Sequence, residues 1–100
     1  NFTERIELPP LDGVVMANSL HFCRDKLTVL AHVRSYLRPG GQLLIVEYDT
    51  NRGNRWAPYP FSYESWQTLS APAGFSDTRL LKTRKSDFMG RFYAAASTRL

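Results

Sequence analysis

Two short runs of uninterrupted apolar residues bound what this chain can become. They are Val14-Val15-Met16-Ala17 and Leu43-Leu44-Ile45-Val46. A half-solvated strand alternates apolar and polar side chains. A run apolar at consecutive positions therefore predicts a strand covered on both faces, as in a parallel sheet with helices on each side. A helix-like stretch lies between the two runs. Asp25 has the chemistry of an N-cap. Leu30, Val33 and Leu37 recur at helical spacing as a buried stripe, and Arg34 and Arg38 place positive charge towards the C-terminal end of the dipole. Pro39-Gly40-Gly41 then ends a helix predicted over Lys26–Leu37, because glycine tolerates the left-handed conformation there and proline cannot continue the helix. Strand, helix and strand in about thirty residues is a right-handed βαβ crossover.

The remainder adds two strands and one helix. Leu8-Pro9-Pro10-Leu11 reads as an extended lead-in, Asp12-Gly13 as a turn, and Asn18–Phe22 as a loop after the first strand. Residues 51–60 form a long loop, and long loops in compact domains are often functional. Ser62 can cap a short helix to about Ala71 that buries Trp66 and Leu69. Pro72-Ala73-Gly74 stops it. Phe75–Lys85 reads as a strand rich in charge, Ser86-Asp87 as a turn, and Phe88–Ser97 as the last strand, with Gly90 a close-approach point or bulge. The tight joint predicts an antiparallel hairpin. The order is β-α-β-α-β-β, an α/β layer with one antiparallel addition.

Length and composition exclude several classes. One hundred residues suffice for one domain, here 1–100, and the 43% hydrophobic content argues for a core rather than disorder. The lone Cys23 cannot form an internal disulfide, which points to a reducing, cytoplasmic setting. No metal-ligand spacing occurs. No run reaches the roughly 18–20 apolar residues that span a bilayer. The net charge of +4 is scattered. Its densest cluster, Arg79, Lys82, Arg84 and Lys85, is flanked by Asp77 and Asp87, so an edge strand kept soluble by charge is expected over a nucleic-acid face.

The second strand ends in Glu47-Tyr48-Asp49. Two acids and a phenol are unusual at the end of a buried strand. They suit a ligand-facing edge, and they equally suit a helix cap or an ion pair with Arg52 or Arg55. His21 can serve as a base for a substrate atom or as a capping loop histidine. Trp56, Tyr59, Phe61 and Tyr63 make an aromatic loop that fits either a lid or a packing cluster.

Three strings carry a resemblance: LPPLDGVVMANSLHF (residues 8–22), LRPGGQLLIVEYD (37–49) and APAGFSDTRLL (71–81). In this order they resemble the C-terminal half of a class I S-adenosylmethionine-dependent methyltransferase domain. The resemblance implies a partial Rossmann-like sheet whose last strand inserts antiparallel between the two before it. It implies S-adenosylmethionine as cofactor, with Asn1 and Phe2 beside the adenine and Ala17, Asn18, Ser19 and Leu20 beside the methionine end. By the same resemblance His21, Glu47, Tyr48, Asp49, Trp56 and Tyr59 face the methyl acceptor. His21 is the one catalytic candidate.

The family's glycine-rich turn and ribose-binding acid match nothing in this sequence. The chain is thus expected to be a fragment lacking the N-terminal cofactor-binding half, inactive alone, with its Val14–Ala17 edge covered by that half or by a partner chain. A small-molecule acceptor is expected rather than nucleic acid. The rival expectation is a non-catalytic module that pairs its open edge with another protein.

Overall fold

The computed structural model describes residues 10–55, 57–86 and 90–100. Strand β1 spans Leu11–Ala17 and a one-turn 3-10 helix follows at Leu20–Phe22. Helix α1 spans Lys26–Tyr36, β2 Leu37–Tyr48 and α2 Tyr63–Ser70. Strands β3, Phe75–Ser86, and β4, Gly90–Arg99, complete the order.

The sheet order is β1-β2-β4-β3. β1 runs parallel to β2, with Val15 opposite Leu44 and Ala17 opposite Val46. β4 is antiparallel to both β2 and β3, with Glu47 opposite Tyr93. β3 therefore runs in the same direction as β1 and β2. The last strand in sequence lies between its two predecessors in space, as the resemblance implied.

Local chemistry accounts for the helix boundaries. Asp25 caps α1, its carboxylate accepting from the Thr28 N–H at 3.3 Å and the Thr28 hydroxyl at 2.7 Å. Ser62 caps α2, accepting from the Ser65 N–H at 3.1 Å. Gly40, at φ 84°, takes the left-handed conformation in the bend of β2.

The core lies on one face of the sheet. Leu30 and Val33 are buried as the helical spacing predicted; Leu37 is buried too, but as the first residue of β2 rather than in the helix, and the three meet Met16, Leu43 and Ile45 from the strands. Trp66 joins them from α2 and donates its indole N–H to the buried Ser97 hydroxyl at 3.2 Å.

Several expectations are corrected. Asp12-Gly13 belongs to β1 rather than to a turn, because Leu11 pairs with Leu37 across an irregular register. β2 begins at Leu37, and Pro39-Gly40-Gly41 forms a bend in it. β1 is not covered on both faces: Val15 is 66% exposed, since α1 and α2 lie over the face holding Met16 and Ile45. Gly90 has φ 82° and open space where a Cβ would lie, so it serves turn geometry and no close approach. The Leu8–Leu11 lead-in runs into β1 at Leu11, while its Leu8 and Pro9, the turn residue Asp87 and the start of the expected last strand at Phe88 lie outside the described residues. Among the described residues β1 is an edge strand, as expected.

Candidate functional site

Parallel pairing brings the C-terminal ends of β1 and β2 to one edge of the sheet. The chain leaves β1 at Asn18, which adopts φ 54°, a left-handed conformation that asparagine tolerates. Its backbone N–H extends the ladder to the Val46 carbonyl at 2.8 Å. The 3-10 turn then folds back over the end of β2.

Glu47 organises that turn. It is fully buried. One carboxylate oxygen, Oε2, accepts from the backbone N–H of Ser19 at 3.1 Å and of Leu20 at 2.9 Å. The other, Oε1, lies 2.8 Å from Nδ1 of the buried His21. Burial pushes the Glu47 carboxyl above its ordinary pKa, against the opposing pull of its bonds to His21, Leu20 and Ser19. With the carboxylate ionised, Nδ1 is the donor in this contact, which leaves Nε2 as the ring nitrogen open to another partner. No described residue hydrogen-bonds Nε2. A carboxylate that fixes the tautomer of a histidine is the usual support of a general base.

Aromatic rings surround this pair. The Phe22 ring lies 4.2 Å from the His21 ring and the Tyr48 ring 5.5 Å from it. Tyr48 in turn stacks on Phe92 at 4.6 Å. Phe22 is 61% exposed beside a buried imidazole. Tyr59 approaches from the long loop, and its N–H donates to the His21 carbonyl at 2.8 Å.

Asp49 points to the same side as Glu47 but serves another element. Its carboxylate accepts from the Tyr63 N–H at 2.9 Å, at the first residue of α2. Asn51 reinforces that contact, accepting from the Ser62 N–H at 3.0 Å and the Ser65 hydroxyl at 2.8 Å. Phe61 is buried and Tyr63 packs on the core, so half of the aromatic loop is packing.

The structure thus brings Asn18, Ser19, Leu20, His21, Glu47, Tyr48 and Tyr59 together at one sheet edge. Asp49 caps the adjacent helix. Ala17 lies at the end of β1, and its carbonyl accepts from the Ser19 hydroxyl at 3.1 Å. Asn1, Phe2 and Trp56 lie outside the described residues. The pairing of His21 with Glu47 is absent from the sequence reading, although a signal for it existed. In a parallel pair, the residues just after one strand meet the last residues of the next. Phe22 and Lys26 carried no signal of their own.

No protein-family profile matches the chain. Among curated proteins it is 53% identical over 36 residues, 36% of its length, to the highly reducing polyketide synthase ACRTS2 of Alternaria alternata. It is 32% identical over 86% of its length to the lovastatin nonaketide synthase mokA of Monascus pilosus. The chain spans 1% and 3% of these two proteins. Among solved structures it matches a SAM-dependent methyltransferase of Thermotoga maritima, a possible histamine N-methyltransferase, with TM-score 0.71 and 19% identity, over 94% of this chain and 60% of that one. It matches the CMeT domain of the citrinin polyketide synthase with TM-score 0.73 and 12% identity, over 98% of this chain and 31% of that one. With its strand order and its antiparallel strand between two parallel neighbours, the chain has the fold of the C-terminal half of a class I S-adenosylmethionine-dependent methyltransferase domain.

Proposed function

We propose that this chain is the acceptor-side part of a carbon methyltransferase that acts on the activated carbon of a 3-oxoacyl thioester within a polyketide synthase. The observation that carries the reading is the buried His21–Glu47 pair, 2.8 Å apart, at the ligand-facing edge of the sheet. An amine acceptor attacks through a lone pair it already has, and a hydroxyl acceptor also gains from a base. A carbon acceptor must lose a proton to become a nucleophile, so a histidine held in one tautomer is the chemistry it requires. The polyketide synthases among the curated relatives point the same way.

S-adenosylmethionine, when bound, supplies an activated methyl group. The chain's residues fit its methionine end. Asn18 presents an exposed amide at the end of β1, in a conformation set by the turn. The Ser19 and Leu20 N–H groups are already taken by Glu47, so Asn18 is the side chain here best placed to meet an amino-acid group. The ribose-binding acid and glycine-rich turn belong to the part of the domain that this chain does not contain, and the chain by itself is inactive.

In this reading His21 Nε2 takes the proton from the carbon between the ketone and the thioester. The C–H electron pair passes into the enolate, to whose carbon the bound cofactor would supply the methyl group, its sulfur keeping the S–C bond pair as S-adenosylhomocysteine leaves. Glu47 holds the imidazole and stabilises its charged form. Phe22 and Tyr48 shield the enolate from water. Burial of a base among apolar rings strengthens each of these electrostatic effects.

The test is methyl transfer by the complete domain to a 3-oxobutyryl thioester. His21→Asn lowers kcat about 10²–10⁴-fold, the usual worth of a positioned general base, and leaves affinity for S-adenosylhomocysteine within a few-fold. A complete domain without affinity for that product ends the reading, as does a His21→Asn variant with unchanged kcat. The open β1 edge and exposed Val15 favour the second reading, a non-catalytic module completed by a partner strand. Stable self-association of this chain, unaffected by the cofactor, supports that alternative.

A further inference from the structure

One side chain ties the turn carrying His21 to the aromatic loop. Lys26 is the first residue of α1. Its Nζ donates to the carbonyl of Cys23 at 2.8 Å, the residue whose N–H closes the 3-10 turn on the Leu20 carbonyl. The same ammonium lies 5.1 Å from the centre of the Phe61 ring and 5.9 Å from that of the Tyr59 ring, both within cation–π reach. The loop is held at two further points. The Tyr59 N–H donates to the His21 carbonyl, and the buried Tyr93 hydroxyl donates to the Phe61 carbonyl, each at 2.8 Å.

A lysine serving solubility alone keeps its head in water. Lys26 is half-buried, and desolvation holds its pKa below the usual value. Among the described residues it forms no salt bridge. Besides the favourable field of the nearby Glu47 carboxylate, its direct partners are one carbonyl and two ring faces, and these belong to the two segments that flank the base.

We propose that Lys26 is a positioning residue: a latch that holds loop residues 57–61 against the His21 turn, so that base and aromatic wall stay in register as the acceptor enters. This rests on the methyltransferase reading above. Removing the latch leaves the His21–Glu47 bond in place and loosens what surrounds it. The wall then samples open positions, and misplacement of an acceptor by about an ångström is enough to cost up to about a hundredfold in rate.

The experiment uses Lys26→Met, which keeps the aliphatic stem, and Lys26→Arg, which keeps the charge and the donor, in the complete domain. In Lys26→Met, hydrogen exchange at the Tyr59 amide speeds up about tenfold. The kcat for a 3-oxobutyryl thioester falls about tenfold or more, and KM for S-adenosylmethionine is unchanged. Lys26→Arg restores both. The latch is refuted if Tyr59 exchange is unaltered, if kcat persists in a folded Lys26→Met protein, or if arginine fails to rescue. If Lys26→Met does not fold, Tyr59→Leu removes one of the two ring faces at an exposed position and is read by the same two measurements. If the complete domain methylates no thioester, the methyltransferase reading is lost, and exchange at Tyr59 in Lys26→Met decides the latch separately.

Discussion

Replacing Glu47 separates two things that its carboxylate supplies, charge and acceptor capacity. Glu47→Gln keeps the shape. The amide oxygen can take the place of Oε2 and accept from Ser19 and Leu20, while the amide N–H₂ takes the place of Oε1 and donates to His21 Nδ1 in the opposite tautomer. The buried charge is lost, but that charge is costly here, since burial outweighs its hydrogen bonds and raises the pKa. Glu47→Gln is therefore expected to lie within about 1 kcal/mol of the parent at neutral pH. Glu47→Ala strands the buried Leu20 N–H and the buried His21 ring, each costing about 1–3 kcal/mol. The lost methylene adds about 0.8 kcal/mol. The sum, about 3–7 kcal/mol, is a large part of the roughly 5–15 kcal/mol that holds a small domain together. The assay is guanidinium unfolding followed by tryptophan fluorescence, since Trp66 is buried. At a slope of about 2–6 kcal/mol per molar denaturant, Glu47→Ala shifts the midpoint by about 0.5–3.5 M, and Glu47→Gln by no more than about 0.5 M. Equal losses in the two variants would refute the reasoning, because charge rather than acceptor capacity would then organise the turn. Activity reverses the contrast: Glu47→Gln favours the tautomer with a proton on Nε2, and kcat falls although the fold is intact.

Three further outcomes follow from the same structure. A raised Glu47 pKa means that the folded state binds this proton more tightly than the unfolded state does. Its contribution to stability is complete below the ordinary value of 4.5 and is lost as pH rises through the folded pKa, so the stability of Glu47→Gln relative to the parent should rise over that interval in a pH series of unfolding curves. Ser97→Ala removes the acceptor of the Trp66 indole N–H in a fully buried setting, so about 1–3 kcal/mol is lost, seen as a Tm lower by several degrees. Gly74→Ala combines φ 91° with a Cβ only 2.4 Å from Arg34 Nε, so about 1–2 kcal/mol of backbone strain adds to the displacement of Arg34, and an unchanged unfolding midpoint contradicts this.

Much of the fold was legible because its signals are local. The Asp25 and Ser62 caps, the buried Leu30 and Val33 of α1 and the hairpin of β3 with β4 each depend on residues close in sequence. The two apolar runs announced parallel strands, and the strings around them announced the methyltransferase-like order. The covered second face of β1 was misjudged for a physical reason. Apolar periodicity reports what a strand is suited to meet, and no described residue of this chain covers Val15.

The site was only half legible. Glu47 and His21 were singled out separately, one as an odd strand ending and the other as a loop histidine, because 26 residues separate them. Register joins them: Ala17 pairs with Val46, so the turn after one strand lies on the last residues of the other. The placement of Tyr59 and of the Lys26 ammonium has the same origin. By itself, the sequence determined the caps, the order of elements along the chain and the residue types at the C-terminal ends of β1 and β2, since these follow from backbone preference and apolar pattern, while the place of the last strand between its predecessors came from the family resemblance. Only the tertiary structure decided that Glu47 turns inward to hold His21 while Asp49 caps α2, because a buried carboxylate must find its donors wherever the chain brings them.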